Sequence, residues 1–420
     1  MVTVYKIRSI LCYTIKVEQS SIYDVIIVGA GASGLICALE CARAGKRVLV
    51  LERAPFPGRK ILVSGNGRCN FTNLHAVPDC YHADPELIKA ALTAFSPKDC
   101  LAYFDRLGIL YVQEGNGRMF PATGKATAVT DAFKAALAET NAEVLCNTEV
   151  IRIKRGKTFL VSTKDASFQS RKLVLACGSC AYPQVSGTQK GYELAQSLGH
   201  HIITPRPALS GLCLKENFSR LSGIRFQVRL TAATTPAAQA EGEIIFTAYG
   251  INGPAALNIS SQVSRALPQG NIPLFINFLP QIENTTDFLQ NRLHQFAHRK
   301  PKDFFAGLLH ESLANLLIDF KGLRKNKPMA EQSPAVLTSA LNALEKWPAT
   351  ITALRPWNEA MAATGGVNVR EINYNTFESN LCQGLYITGE LLDVDGKSGG
   401  FNLQFAWASG ITAAQHIKEQ

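Results

Sequence analysis

The feature that most constrains the fold lies at residues 23–52, where a strand, a glycine-rich turn, a helix and a second strand follow one another. The sequence there reads YDVIIV, GAGASG, LICALECARAG and KRVLVLE. Both apolar runs are continuous and rich in β-branched residues, as is typical of parallel strands buried on both faces. The helical segment ends at Gly45, a residue type that favours helix C-termini. The pattern is a β-α-β unit and predicts a parallel α/β domain.

The turn of this unit has the spacing of a dinucleotide-binding site. Gly29, Gly31 and Gly34 form GxGxxG, and Glu52 ends the next strand. The first glycine permits the turn, the second lets the backbone approach a pyrophosphate, and the third lets helix and strand pack closely. An acid at the end of the second strand accepts hydrogen bonds from a ribose and disfavours a 2′-phosphate, so FAD or NAD fits better than NADP. The complete context disfavours the alternative of a turn that binds nothing.

The far end of the chain favours FAD over NAD. Residues 384–410 read GLYITGELLDVDGKSGGFNLQFAWASG, which predicts a strand, a turn at Gly389-Glu390, and a helix that begins at about Asn402. A helix N-terminus favours negative charge, and the reduced flavin ring carries such charge near its N1 and C2 carbonyl, whereas nicotinamide does not. Glu390 is predicted to bind the ribityl hydroxyls; the alternative is an acid that caps a turn.

Residues 58–73, GRKILVSGNGRCNFTN, are polar and rich in glycine. Such a segment suits a position along a cofactor, whose oxygens would lack partners against apolar side chains. Lys60, Ser64, Arg68 and Asn70 are the predicted contacts within it. The full predicted cofactor site is Gly29, Gly31, Ala32, Ser33, Gly34, Glu52, Arg53, Lys60, Ser64, Gly65, Gly67, Arg68, Asn70, Val150, Ala176, Gly389, Glu390, Gly399, Gly400, Phe401, Asn402 and Leu403.

The rest of the sequence predicts an insertion into the first domain. Short alternating strands with Pro and Gly between them fill about 205–280, and helical spacing fills about 282–348. The predicted parts are an N-terminal extension at 1–21, an FAD-binding domain at 22–198 plus 355–420, an inserted β-rich domain at 199–281 plus 349–354, and a helical subdomain at 282–348.

Composition and charge bear on partners and location. The net charge of +10 favours anionic partners but does not choose among nucleotides, nucleic acid and anionic lipid surfaces. Two basic segments stand out, HRKPK at 298–302 and KGLRKNK at 321–327, with solvated helix ends as the alternative. Eleven scattered cysteines predict reduced thiols in a cytoplasmic protein. The most apolar stretch, at 25–39, is too short to span a bilayer, so we expect no membrane segment.

Two further kinds of site are not expected. The pairs His200/His201 and His294/His298 have no third ligand at a suitable spacing, so we predict no metal site. A second GxGxxG is not found in the sequence. NAD(P)H, the predicted reductant, is therefore expected to bind transiently, without a Rossmann domain of its own.

Four longer stretches resemble a known family. They are GRKILVSGNGRCNFTN at 58–73, GRMFPATGKATAV at 117–129, FTAYGINGP at 246–254 and ATGGVNVREINYNTFESNLCQGLYITGELLDVDGKSGGFNLQFAWASG at 363–410. They resemble the YhiN/BaiN family of FAD-dependent oxidoreductases over essentially everything after residue 22. The resemblance implies a glutathione-reductase-like FAD-binding Rossmann domain with an inserted β-barrel domain and a helical subdomain. Members are described as C=C reductases of bile-acid intermediates, as aminoacetone-oxidase-like enzymes, and as dihydrouridine synthases of large-subunit ribosomal RNA.

Resemblance and charge together predict an enzyme that reduces a conjugated C=C bond with electrons from NAD(P)H, with uridine of large-subunit ribosomal RNA as substrate. The C4 carbonyl of uracil needs hydrogen-bond donors as negative charge develops on it. Cys69, Arg118 and Lys125 are the predicted catalytic residues, with Cys69 as a general acid; a packed, inert thiol is the alternative for Cys69. The two basic segments would contact the RNA phosphates.

Two other functions stay open. One is a small-molecule flavin reductase or amine oxidase that acts on a bile-acid-type enone or an aminoacetone-like substrate. The other is a non-catalytic protein that senses FAD.

The sequence departs from the family pattern at one point. Where the family reads Ala-Thr-Gly-Gly before Ser-Tyr-Pro, this chain reads ACGSCAYP and places Cys177 and Cys180 in a CxxC spacing. That spacing suggests a redox disulfide. We favour packed thiols, because the cysteines replace small residues in a tight strand-to-turn crossing, where a thiol behaves as a small hydrophobe.

Overall fold

The computed structural model describes residues 22–420, so the predicted extension at 1–21 lies outside the described residues. The described chain forms two compact units. The first takes in the residues up to Arg206 and Met361–Gln420, and the second is Pro207–Ala360. Both boundaries lie several residues beyond those predicted. Residues 199–206 stay with the first unit because the strand Ile202–Ala208 pairs with Ala362–Val367, and Arg355 stays with the second because its N–H donates to the Gly211 carbonyl at 2.8 Å.

Strands and helices alternate in the first unit and separate into two groups in the second. Within residues 22–420 the strands are β1 (Tyr23–Val28), β2 (Val48–Leu51), β3 (Thr72–Asn73), β4 (Tyr81–His82), β5 (Tyr111–Glu114), β6 (Arg118–Pro121), β7 (Glu143–Leu145), β8 (Val150–Arg155), β9 (Phe159–Thr163), β10 (Ser167–Leu175), β11 (Ile202–Ala208), β12 (Leu212–Leu214), β13 (Arg225–Ala232), β14 (Ala238–Thr247), β15 (Gly250–Asn252), β16 (Ile272–Asn277), β17 (Trp347–Leu354), β18 (Ala362–Val367), β19 (Leu385–Ile387) and β20 (Asp395–Gly396). The helices are α1 (Ala32–Arg43), α2 (Arg59–Val63), α3 (Pro85–Ala94), α4 (Pro97–Arg106), α5 (Thr127–Ala138), α6 (Lys190–Ser197), α7 (Pro254–Ala266), α8 (Thr285–Phe296), α9 (Pro301–Phe305), α10 (Glu311–Lys321), α11 (Pro334–Glu345) and α12 (Phe401–Glu419).

The first unit is built on a seven-stranded sheet in the order β7-β2-β1-β10-β9-β8, with β19 also paired to β10. The strands β7, β2, β1, β10 and β19 are parallel, whereas β8 and β9 are antiparallel. The strands β1, β2 and β19 are almost fully buried, which explains their continuous apolar sequence. The predicted Rossmann-type α/β fold is confirmed, and it brings the carboxyl ends of β1, β2, β10 and β19 to one edge of the sheet.

The helix α12 packs along α1, and one glycine sets how closely. A Cβ atom on Gly410 would lie 2.4 Å from the Ser33 carbonyl oxygen. Only glycine fits at such a distance, so the two helices approach closely at this point. This contact holds the last helix of the chain against the helix that follows the glycine-rich turn.

The second unit contains a closed barrel in the order β12-β15-β14-β13-β16-β17. The helices α7–α11 belong to the same unit, and their buried faces share one hydrophobic core with the barrel. The helical segment predicted as a separate subdomain is therefore not a compact unit of its own. Leu317 of α10, Leu344 of α11 and Ile276 of β16 are all completely buried in this common core, which explains why barrel and helices form one body.

Candidate functional site

Four predicted cofactor residues lie at the carboxyl edge of the parallel sheet. Gly29 follows β1, Glu52 follows β2, Ala176 follows β10, and Gly389 comes just after β19. Main-chain hydrogen bonds hold this edge together: the Gly29 N–H donates to Leu51 O at 2.8 Å, and the Ala176 N–H donates to Val28 O at 2.9 Å. Ligands of open α/β sheets bind at this edge, so the topology assembles a site from segments distant in sequence.

The glycine-rich turn is tight at two positions and open at the third. A Cβ atom on Gly34 would lie 2.0 Å from the Gly29 carbonyl oxygen, and one on Gly29 would lie 2.4 Å from the Ala176 carbonyl oxygen. In the described part of the chain, no atom beyond its neighbours comes within 4 Å of the corresponding position on Gly31. Gly31 is also the N-cap of α1, and no side chain accepts a hydrogen bond from the first N–H groups of that helix at this position. The turn therefore leaves space where a helix N-terminus favours an anion.

The carboxylate of Glu52 is fixed by the main chain on both sides. Its Oε2 accepts the N–H of Ala30 at 2.7 Å, and its Oε1 accepts the N–H of Ala54 at 2.7 Å. Each oxygen keeps a second lone pair, so the carboxylate is oriented and can still accept a hydroxyl. The neighbouring Arg53 is exposed and donates to the carbonyls of Ser186 and Gly187 at 2.8 and 3.1 Å.

The polar segment 58–73 is tied to the glycine-rich turn. It starts at Gly58, whose N–H donates to the Ala30 carbonyl at 2.8 Å. The short helix α2 follows, and the Ser64 hydroxyl donates to the Ile61 carbonyl at 2.7 Å where the helix ends. Gly65 has a φ of +55°, and the Gly67 carbonyl accepts the N–H of Ala126 at 2.8 Å. The hydroxyl of Ser64 is therefore bonded to a main-chain carbonyl at the C-terminal end of α2.

An ion pair joins segment 58–73 to the turn after β19. Lys60 Nζ donates to Glu390 Oε2, and the other oxygen of Glu390 accepts the N–H of Ala363 at 3.2 Å. The Lys60 and Glu390 side chains are 30% and 17% exposed, so the pair lies near the surface without being fully solvated. Two residues predicted independently as cofactor contacts are thus brought together from positions far apart in the sequence.

The start of α12 lies against the same segment. Gly400 is its N-cap, and a Cβ atom there would lie 2.6 Å from the Thr72 carbonyl oxygen and 2.9 Å from Asn70 Oδ1. Asn70 is buried and accepts the N–H of Met119 at 3.2 Å. Asn402 bonds both main-chain groups of Gly396, at 2.8 and 2.9 Å. The predicted helix at about Asn402 is confirmed.

The remaining predicted residues of the C-terminal segment support this arrangement. A Cβ atom on Gly389 would lie 2.7 Å from Ser33 Oγ, and the Gly389 N–H donates to Ser409 Oγ at 3.0 Å. The Gly399 carbonyl accepts the side-chain amide of Asn73 at 2.8 Å. Phe401 is buried, and Ala32 and Leu403 are half-buried at the first turns of α1 and α12.

The structure gives three predicted basic residues different surroundings. Arg68 pairs with Glu114, and its guanidinium lies 4.4 Å from the centre of the Phe120 ring, so its charge is already engaged by protein. Arg118 donates from Nε to the Gly115 carbonyl at 2.9 Å. Lys125 is exposed, in the turn before α5. Of the three residues, Lys125 is exposed, whereas Arg68 and Arg118 are half-buried.

Cys69, predicted as the general acid, is completely enclosed by protein atoms. Burial raises the pKa of its thiol to about 12, so it stays protonated at neutral pH. A group with no exposed surface does not meet a substrate in this conformation. The geometry therefore favours the alternative of a packed thiol, in a residue whose positive φ of 58° shapes the loop.

The CxxC cysteines and the last two predicted residues lie near the sheet edge. Cys177 and Cys180 are both free thiols; burial raises the pKa of Cys177 to about 12, and Cys177 Sγ lies 3.5 Å from the Val28 carbonyl oxygen. This matches the packed thiols favoured by the sequence. Val150 is the first residue of β8, Ala176 directly follows β10, and both side chains are buried.

Sequence reasoning missed several residues that organise the site. Asn73 donates its amide to the carbonyls of Asn116 and Gly399, and Gln404 links Thr72 Oγ1 to the Phe95 carbonyl. The polar run NFTN could have pointed to Asn73, because such side chains often bond nearby main chain. Gln404 gave no local signal, since its partners lie in segments more than three hundred positions away.

Two negative findings complete the geometry. Within residues 22–420 no group of three or more His, Cys, Asp or Glu side chains could hold a metal ion. None of the helices in that range is long and apolar enough to cross a membrane.

Residues 23–416 match the family model described as "HI0933-like protein Rossmann domain". The chain belongs to this HI0933-like family. A relative named 3-dehydro-bile acid delta(4,6)-reductase, from Clostridium scindens, is 32% identical over 94% of this chain and 98% of the relative. The ribosomal RNA dihydrouridine synthase of Haemophilus influenzae is 31% identical over 96% of this chain and all of the relative, and that of Escherichia coli is 29% identical over 94% and 98%.

A solved structure shares the fold of this HI0933-like protein. The 3-ketosteroid delta1-dehydrogenase of Sterolibacterium denitrificans, in complex with 1,4-androstadiene-3,17-dione, superposes with a TM-score of 0.50 at 13% identity, over 95% of this chain and 100% of that one. The predicted resemblance to FAD-dependent oxidoreductases is confirmed: the protein is an FAD-dependent oxidoreductase. Its residues fit that cofactor, because Gly31 leaves space at a helix N-terminus and Glu52 presents an oriented carboxylate at the end of β2.

Proposed function

We propose that this HI0933-like protein reduces uridine to dihydrouridine in large-subunit ribosomal RNA, with NAD(P)H as the electron donor. The observation that carries the RNA substrate is the joining of the two basic segments in the second unit. The Met329 N–H donates to the Arg299 carbonyl at 2.8 Å, and the Ala330 N–H donates to the Ala297 carbonyl at 2.9 Å. These bonds join the chain at segment 298–302 to residues 329 and 330, which lie just after segment 321–327. The two segments therefore lie close together and would contribute to one basic surface.

The charge of this surface suits a polyanion. Residues 298–331 contain seven Lys and Arg against four Asp and Glu. Three of the lysines form surface ion pairs, Lys302 with Glu311 at 2.8 Å, Lys325 with Asp319 at 2.7 Å and Lys327 with Glu331 at 3.1 Å. Exposed pairs of this kind stabilise little and exchange readily, so these lysines remain free to contact phosphates. Two of the relatives, at 31% and 29% identity, carry this RNA-modifying activity in their names.

Bound FAD would supply hydride transfer between NAD(P)H and the C5=C6 bond of uracil. The protein's own part is binding and orientation. The main chain at Gly31 would hold the pyrophosphate, Glu52 would accept from ribose hydroxyls, and the Lys60–Glu390 pair would meet the ribityl chain. Arg118 would donate hydrogen bonds to the C4 carbonyl oxygen, and the exposed ammonium of Lys125 would supply the proton to C5, the carbon next to that carbonyl, with the hydride going to C6. Because ribosomal RNA is the substrate, the reaction would take place in the cytoplasm.

Nucleoside mass spectrometry of large-subunit ribosomal RNA tests the proposal. RNA from cells with the intact gene, without it, and with the gene restored would be digested and compared. We expect a dihydrouridine, two mass units above uridine, only where the gene is intact or restored. Identical nucleosides in all three samples would remove the RNA substrate from consideration.

A second candidate function is reduction of a small conjugated ketone. It is favoured by the relative named as a bile-acid reductase, which is 32% identical over nearly the whole chain. The two functions predict different effects of charge reversal at Arg299 and Lys300. Ribosomal RNA modification should fall steeply and become more sensitive to salt, whereas turnover of a small neutral enone should not change. A purified protein whose flavin no reductant can bleach would instead support the FAD-sensing alternative.

A further inference from the structure

An open groove of about 740 Å³ lies on the second unit, beside one face of α11. Pro334, Thr338, Asn342 and Lys346 line it at intervals of four residues, so they form a single row along the helix. The opposite face of α11 carries buried residues such as Leu344 and packs into the common core. The groove wall is therefore a helix face that packs against nothing in its own unit.

The floor of the groove is aromatic and exposed. Phe275 of β16 pairs in register with Pro348 of β17, and both line the groove. Strand alternation turns Phe275 outward, so its side chain is 41% exposed while Leu274 and Ile276 are completely buried. Nearby, Phe320 is 55% exposed and stacks on Trp347 with ring centres 5.2 Å apart. Phe275 therefore presents an aromatic ring to solvent in the groove, and the exposed Phe320 directly precedes the groove residue Lys321 in the chain.

The rim of the groove is cationic. Lys321, at the end of α10, and Lys346 line it, and neither has a carboxylate within ion-pair distance in the described chain. The acid nearest in sequence to Lys321, Asp319, is already paired with Arg220 at 2.9 Å and with Lys325 at 2.7 Å. Thr338, Ser339 and Asn342 of α11 add hydroxyl and amide groups to the lining. The rim thus offers positive charge and neutral hydrogen-bonding groups around an aromatic floor.

These properties select one kind of occupant. Single-stranded nucleic acid binds grooves that combine cations for the phosphates with aromatic rings on which unpaired bases stack. We propose that this groove binds a single-stranded stretch of RNA, with a base stacked on Phe275 and phosphates contacted by Lys321 and Lys346. The inference rests on the proposed function and deepens it. Lys321 is also the first residue of the basic segment 321–327, so the groove extends the surface formed by the two basic segments.

Fluorescence anisotropy with a labelled ten-nucleotide oligouridylate tests the groove in the full-length, FAD-loaded protein. Phe275→Ala should weaken binding roughly tenfold, and Phe275→Tyr, which keeps a ring, should bind as the wild type does. Lys346→Glu should also weaken binding and make the slope of log affinity against log salt shallower by about 0.7 or more. Lys164→Glu reverses an exposed lysine of the turn between β9 and β10 in the first unit and should change neither value.

Several results would overturn the inference. The first is wild-type affinity in Phe275→Ala and Lys346→Glu. A duplex of the same length that binds equally tightly and loses equal affinity in Phe275→Ala would also contradict it, because paired bases do not stack on a side chain. A changed sedimentation coefficient in Phe275→Ala with unchanged RNA affinity would assign the groove to a second copy of the chain.

The proposed function can fail independently of the groove. Loss of the gene with no loss of dihydrouridine, together with the expected oligonucleotide binding pattern, would refute the function and support the groove. Loss of dihydrouridine with normal binding by both variants would do the reverse. Thermal unfolding of each variant, and the Tyr variant in particular, separates loss of a contact from loss of fold.

Discussion

Gly31→Asp tests the cofactor site at the point where the structure leaves space. Gly31 caps α1 with an extended backbone (φ −78°, ψ −167°), and no atom beyond its neighbours in the described chain lies within 4 Å of a Cβ placed there. A side chain therefore fits the apoprotein. The same side chain would occupy the space that we assign to the FAD pyrophosphate, so stability and cofactor affinity should move in opposite directions.

The magnitudes follow from the helix end. Aspartate is a better N-cap than glycine by a few tenths of a kcal/mol, and its charge at a helix N-terminus adds about 0.3–1 kcal/mol, so the apoprotein should gain about 0.5–1 kcal/mol. Against a phosphate at about 5 Å, the carboxylate costs about 1–3 kcal/mol at an effective dielectric constant of 80 to 20. The Kd for FAD should therefore rise by roughly five- to a hundredfold or more.

Gly31→Asn is the matched control, because it has nearly the same shape and the same capping preference without the charge. Urea unfolding of the apoproteins measures stability, and quenching of flavin fluorescence on titration measures Kd. We expect both variants to be at least as stable as the wild type and Asp to bind FAD much more weakly than Asn. FAD affinity equal to that of the wild type in both variants would show that no pyrophosphate occupies this space, and a loss of apoprotein stability in both would contradict the open space.

Three further predictions concern single side chains of the first unit. Cys69→Ser places a hydroxyl in a site with no exposed surface, so the free energy of unfolding should fall by about 1–3 kcal/mol. Turnover per bound FAD should stay unchanged. Loss of turnover at normal stability would instead support Cys69 as the general acid. Glu390→Gln removes the ion pair with Lys60, and calorimetric titration should show roughly tenfold weaker FAD binding. The free energy of unfolding of the apoprotein should fall by less than about 1 kcal/mol, because both side chains are partly exposed. Unchanged FAD affinity would show that Glu390 does not contact the cofactor. Burial lowers the pKa of His200 below its ordinary 6.5, so the unfolded chain takes up a proton that the folded chain does not, and the free energy of unfolding should decrease as the pH falls below about 6.5. Urea titrations between pH 5 and 7.5 should show this decrease flattened in His200→Gln, and parallel curves for the two proteins would contradict the assignment.

The sequence predicted those parts of the site that are encoded locally. The turn at Gly29–Gly34 and the helix start after Gly400 each follow from a few adjacent residues, and the structure has them where the pattern indicated. The sequence did not predict which distant residues the fold brings into contact. Arg68 is predicted as a cofactor contact because it lies in a polar loop, and its ion pair with Glu114 of β5 could not be predicted from that loop. Cys69 is chemically suited to proton transfer, but its complete burial depends on packing from the whole unit.

The domain boundaries differ from the prediction for a related reason. The predicted boundaries lie where the residue composition changes. The observed boundaries are set by strand pairing and main-chain hydrogen bonds, which composition does not show. Residues 202–206 read as the start of the β-rich insertion, but β11 pairs with β18 of the first unit. Residues 282–348 read as a helical body, but their apolar faces have no core except the one they share with the barrel.

Substrate choice is a local property that overall similarity does not resolve. This chain is 32% identical to a bile-acid reductase and 31% identical to a ribosomal RNA dihydrouridine synthase, each over almost its whole length. The residues that we propose for FAD, in the glycine-rich turn, at Glu52 and at the helix starts, all lie in the first unit and would serve any flavin reductase. An extended RNA demands more, because it needs cations spaced along a surface and rings for unpaired bases. The second unit carries both features, in the joined basic segments and in the groove beside α11, and a small neutral enone would need neither.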